Sequence, residues 1–168
     1  VMGTHNHLLS LGDSAYLELI AIDPAATPPG RPRWFDLDRF AGPPRPTNWI
    51  LRCDDIRAAL ARTPKGAGTP IPLTRCPYVW QIAVPNDGLL PFDNLFPALI
   101  EWEGSRHPAP DLPDRGVRLT ALRLRHPRAD ALSAALERLG GPGVPLALEN
   151  GPPGLGLTLQ TPDGQRDL

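Results

Sequence analysis

Proline and glycine set the limits of this fold: 23 prolines and 16 glycines, spread through 168 residues, cut the chain into short segments. Proline fixes its own φ, lacks an N–H and restricts the residue before it, while glycine admits turns closed to other residues. Many short elements joined by turns are expected, with little helix. Apolar residues at 41% and charged residues at 21% nonetheless lie near globular averages. A chain of this length buries a sizeable core, so one compact domain over 1–168 is expected rather than disorder.

Charge and cysteine usage narrow the partners. The formal net charge is -1 and the arginines are scattered, without the basic stripe that nucleic-acid binding needs. No apolar run approaches the roughly 20 residues that span a bilayer, and no signal-peptide pattern opens the chain. Neither nucleic acid nor a membrane is therefore an expected partner, and the expected location is cytoplasmic. Cys53 and Cys76 have no CxxC or Cys/His ligand spacing and read as buried thiols in a reducing compartment. Lys65 is the only lysine, a bias that points to a GC-rich bacterial genome.

The opening residues read as two strands around a turn. In the run from Thr4 to Leu11, His5, His7, Leu9 and Leu11 alternate against Asn6, Leu8 and Ser10; Tyr16, Glu18, Ile20 and Ile22 share a face of the next run. A loop of two residues (Gly12-Asp13) or four (Gly12 to Ala15) would place Glu18 on the face of His5 and His7, whereas a three-residue loop would separate them. On the first geometry His5, His7 and Glu18 form a candidate metal site, since imidazole and carboxylate suit first-row divalent ions. The alternative is that the two histidines are solvated or satisfied by hydrogen bonds. Glu18 is the more informative residue, because a carboxylate within an apolar strand is costly to bury unless it is paired or ligated.

Further along, residues 48–53 read as a strand and 54–62 as a helix with an aspartate cap; 78–84 and 97–103 read as strands. The pattern returns with a strand at 118–125, a helix at 130–139 stopped by Gly140-Gly141, and strands at 144–149 and 155–161. The chain thus reads as repeated modules: 1–23 as the end of a first one whose strand and helix would precede Val1, 47–104 as a second and 117–161 as a third. Trp34, Trp49, Tyr78, Trp80 and Trp102 are candidates for the aromatic lining of a ligand cleft, with Trp49, Trp80 and Trp102 as its binding residues, although strand aromatics also serve simply as core.

Several stretches together resemble the glyoxalase-like domain group of the vicinal oxygen chelate superfamily: Gly3-Thr4-His5-Asn6, Leu9-Ser10-Leu11-Gly12, Tyr16-Leu17-Glu18-Leu19-Ile20-Ala21, Leu99-Ile100-Glu101-Trp102-Glu103-Gly104 and Leu122-Arg123-Leu124-Arg125-His126-Pro127. The resemblance implies an α+β fold of repeated βαββ or βαβββ modules, with curved, mostly antiparallel sheets around a cleft and few short helices. It also implies a small-molecule ligand and modules that pair either within a chain or between chains, the latter giving a homodimer. Metal-using members act as lyases, isomerases or dioxygenases through a divalent ion such as Zn, Mn, Fe or Ni, which polarises vicinal oxygens of the substrate. By that resemblance Glu18 and Glu101 fall where last-strand catalytic carboxylates would lie. The first strands at 48–53 and 118–125 carry no His or carboxylate in the corresponding place. A metal-free small-molecule binding or sequestering protein of the same fold is the alternative.

Overall fold

A computed structural model describes residues 2–104 and 106–168; Val1, with which the expected 1–23 segment begins, lies outside the described residues. Strands β1 (Thr4–Ser10) and β2 (Tyr16–Ile22) form an antiparallel hairpin. A 3-10 segment, Trp34–Arg39, follows within the proline-rich strap. The next sheet is built from β3 (Ile50–Arg52), helix α1 (Ile56–Leu60), β4 (Thr69–Arg75), β5 (Tyr78–Val84) and β6 (Ala98–Trp102), in strand order β3-β6-β5-β4. The last comprises β7 (Arg118–Arg125), helix α2 (Ala129–Glu137), β8 (Leu146–Glu149), β9 (Gly154–Thr161) and β10 (Gly164–Asp167), in order β10-β9-β7-β8.

Among the described residues the fold is α+β, mostly strand, with few short helices and no closed barrel. Pairing is antiparallel except for β3 with β6 and β7 with β8. Both later units run strand, helix, then three strands, but their pairings differ. The opening strand β3 is an edge strand bonded to β6, whereas β7 is internal, between β8 and β9. A shared element order therefore does not make the two units copies of one pairing pattern.

Alternation along the strands decides what each face packs against. In β5 and β6, Ile82, Val84, Ala98, Ile100 and Trp102 share one apolar cluster, with Trp80 and Tyr78 packed against it. Ala83 and Leu99 point the other way, into a small cluster with Ile56 and Ala59 of α1. A third cluster joins β7, β9 and α2 through Leu122, Leu124, Leu157, Leu159, Leu132 and Leu136, and takes in Leu11, Trp49 and Phe96 from earlier in the chain.

Two strands went unexpected. In β4, Thr-Pro-Ile-Pro-Leu-Thr-Arg, the alternate prolines mask a strand; they are tolerated because β4 is an edge and a proline there can turn its missing N–H side toward solvent. Strand β10 is short and polar and pairs only with β9. In β7 the expected alternation of Leu119 against Leu122 and Leu124 is broken at Thr120, where a bulge lets Leu119 pack against the same cluster as Leu122 and Leu124.

Candidate functional site

The loop between β1 and β2 decides what the hairpin presents. The Leu11 N–H bonds to the Ala15 carbonyl at 3.0 Å, closing a loop of Gly12, Asp13 and Ser14, and Leu8 stands opposite Glu18. An odd loop pairs even positions with even ones. Glu18 therefore shares its face with Asn6, Leu8 and Tyr16, and the expected set of His5, His7 and Glu18 does not assemble. His5 and His7 lie on the opposite face, where both are exposed.

The Glu18 face lies against the β3–β6 sheet and bounds a cleft of about 110 Å³. Asn6, Tyr16 and Glu18 line it from the hairpin, Trp80 and Trp102 from the sheet floor, and Arg75 and Tyr78 from β4 and β5. Trp34 adds a wall from the strap, which is held across the sheet by the Arg31 Nη2 bond to the Pro85 carbonyl (3.1 Å) and the Asp36 N–H bond to the Gly88 carbonyl (3.1 Å). Trp80 and Trp102 lie 5.2 Å apart between ring centroids, tilted by 37°, and Tyr78 meets Trp102 edge-on at 6.1 Å.

Polar contacts on the hairpin side run in a chain. Asn6 donates from Nδ2 to Glu18 Oε1 at 2.5 Å, and its Oδ1 accepts from Arg75 Nη1 at 2.8 Å. Burial pushes the Glu18 carboxyl above its ordinary value, opposed by the Asn6 hydrogen bond and the Arg75 charge. Tyr16, beside it, is raised by burial and then by the Glu18 charge, so its hydroxyl stays protonated across the physiological range.

The other expected residues fall elsewhere. Trp49 is buried in the core that joins the sheets, its Nε1 donating to the Leu95 carbonyl at 2.8 Å; it does not line the cleft. Glu101 points to the reverse face of β6, away from Ile100 and Trp102, where its Oε2 accepts the Ile56 N–H at 2.8 Å at the start of α1. Its position suits a helix cap and not a group facing the cleft. Asn6 and Arg75, which reach the cleft, were missed. Asn6 becomes visible only with a three-residue loop, and Arg75 only once a strand with two prolines is admitted.

A larger hollow of about 250 Å³ lies on the far side of Phe35. Its charged groups are already engaged: Arg39 pairs with Asp36 at 2.6 Å, Arg45 stacks on Phe40 at 4.4 Å, and Asp93 meets His126 Nε2 at 3.0 Å. The Glu18 cleft, with polar groups facing an aromatic wall, is the better candidate site.

A family model for the glyoxalase-like domain matches residues 1–140, which includes the hairpin, the whole β3–β6 unit, β7 and α2. The chain belongs to the glyoxalase-like domain family. Neither the curated proteins nor the solved structures contain a match to it. Members of the vicinal oxygen chelate superfamily, to which this domain belongs, often use divalent metals. Here, among the described residues, no three His, Cys, Asp or Glu side chains come together to hold an ion. The neighbours of Glu18 are an amide, a phenol and, one amide away, a guanidinium that repels a cation. The residues gathered around Glu18 do not by themselves make up a divalent-ion site. No helix among them is long and apolar enough to cross a membrane.

Proposed function

We propose that this glyoxalase-like domain binds a small oxygenated molecule in the Glu18 cleft without a metal. One observation carries the reading: a half-buried carboxylate, fixed through Asn6 to Arg75, faces a wall of Trp80 and Trp102. Flat aromatic walls supply apolar contact area and a few placed polar groups supply orientation, which is the usual make-up of a small-molecule site. On the basis of about 10–15 Å³ per water, a cleft of about 110 Å³ admits a ligand of roughly seven to eleven non-hydrogen atoms.

Three tryptophans line the cleft, so binding is measurable by intrinsic fluorescence against a panel of hydroxyaromatic, diol and carbonyl compounds. Quenching that saturates in the wild type and is lost in Trp80→Ala is the expected outcome; indifference to the whole panel would sink the reading.

A second reading, a metal-assisted lyase, isomerase or dioxygenase, is favoured by the direction of Glu18 into the cleft from the hairpin's second strand. Elemental analysis separates the two. A stoichiometric divalent ion that disappears in Glu18→Ala would replace the metal-free reading.

A further inference from the structure

We propose that the cleft selects a flat organic anion, a small aromatic or conjugated acid whose anionic end pairs with Arg75 and whose hydroxyl end donates to Glu18. The inference rests on the reading of the cleft as a small-molecule site and adds the ligand's class.

Arg75 ends the edge strand β4 at the mouth of the cleft. Its guanidinium has five N–H groups in a planar fork. One is engaged by Asn6, and none of the ion pairs among the described residues includes Arg75. Asn6 holds the guanidinium in place without neutralising it. Turning the amide over would set its N–H₂ against the guanidinium and its carbonyl against the Glu18 carboxylate, so the arrangement has one stable sense. The other carboxylate near the mouth, Asp111, accepts the Tyr78 hydroxyl at 2.8 Å. A positioned, unpaired guanidinium fork is suited to a carboxylate, which it can grip with two parallel hydrogen bonds.

At the inner end, Glu18 accepts only from Asn6 among the described residues, and an ionised carboxylate has lone pairs for further donors. A hydroxyl brought in by the ligand would satisfy one of them where water is scarce. Asn6 lies between the two charged groups, and the tilted pair of Trp80 and Trp102 lines the same cleft and offers apolar ring area to a planar body. A guanidinium and a carboxylate one amide apart, in a cleft with an aromatic floor, together describe a flat hydroxy acid that presents its anionic end to Arg75 and its hydroxyl to Glu18.

The test is a fluorescence titration with 4-hydroxybenzoate, benzoate and the neutral methyl 4-hydroxybenzoate. It is run on the wild type, Arg75→Gln, Arg75→Lys and Glu18→Gln, each checked for folding by circular dichroism. The acid is expected to bind about tenfold tighter than its methyl ester, the scale of one charge-assisted hydrogen bond. Arg75→Gln should erase that preference and Arg75→Lys retain part of it, while Glu18→Gln should reduce the advantage of 4-hydroxybenzoate over benzoate. Equal affinity for acid and ester, or a preference that survives in Arg75→Gln, overturns the anion assignment and leaves the cleft standing as a binding site. Absence of binding by all three compounds overturns both.

Discussion

Glu18 carries the main electrostatic cost of the cleft. Its carboxyl is raised by burial, with the Asn6 hydrogen bond and the Arg75 charge opposing the shift. For a group whose folded-state pKa is raised, the contribution to stability is full below the unfolded value and is lost as pH rises through the folded one. Glu18→Gln keeps an acceptor for Asn6 and removes the charge. The variant should therefore melt above the wild type at neutral pH, with the gap closing as pH falls from the raised folded-state value to the ordinary carboxylate value of about 4. A gap that is the same at both pH values would show that burial does not govern this carboxyl. Glu101 makes the opposite case. Its bond to the Ile56 N–H predicts that Glu101→Ala loses about 1–2 kcal/mol in a denaturant titration while ligand affinity at the cleft is unchanged. A loss of affinity without a loss of stability would return Glu101 to the site.

Short elements here depend on their ends. Helix α1 has five residues, too few to persist alone, and Asp55 accepts both the Arg57 and Ala58 N–H groups at 3.0 and 2.9 Å. Asp55→Ala should cost about 1 kcal/mol by thermal or denaturant melting. The hairpin depends on its loop in a different way. Gly12, Asp13 and Ser14 fix an odd loop length, and so turn Glu18 and Asn6 toward the sheet. One glycine inserted between Asp13 and Ser14 should either abolish quenching by cleft ligands or be absorbed as a local bulge that leaves the register intact; proton NMR contacts between Leu8 and Glu18 distinguish the two. Loss of those contacts with ligand binding retained would contradict the role given to this face. The even faces of β5 and β6 were legible from alternation alone, whereas β4 was hidden by Pro70 and Pro72, which are acceptable only on an edge.

Across the whole molecule, the β3–β6 unit and the β7–β10 unit are tied by a turn in an unusual conformation. Phe92, Asp93 and Asn94 all have φ between 54° and 67°, a left-handed run costly for residues other than glycine. Asp93 Oδ2 accepts from Nε2 of His126, which is 1% exposed, and the Arg128 N–H donates to His126 Nδ1 at 2.9 Å. Phe92 packs edge-on against the imidazole, with the Arg128 guanidinium 4.9 Å from its ring centre. These contacts compensate for the strained backbone. Asp93→Ala strands a buried imidazole N–H and should lower stability by about 1–3 kcal/mol in chemical denaturation. An unchanged midpoint would mean that the turn is held without the Asp93–His126 contact, by the packing of Phe92 and by bonds such as Leu90 N–H to Asn94 Oδ1 and Trp49 Nε1 to the Leu95 carbonyl.

Sequence by itself determined the short-element α+β character, the hairpin, both helices and six of the later strands. Those features follow from local periodicity and from proline and glycine placement, which act over a few residues. It also singled out Glu18, because a carboxylate in an apolar strand needs a reason wherever the strand packs. Tertiary structure alone decided that Glu18 faces Asn6 and Arg75 rather than His5 and His7, that Glu101 caps a helix, and that Trp49 belongs to the core. Each of those outcomes turns on a register or a contact between residues 45 or more apart, or on the parity of one loop. A shift of one residue reverses every side chain of a strand at almost no local energetic difference, so only packing against the rest of the molecule selects the face.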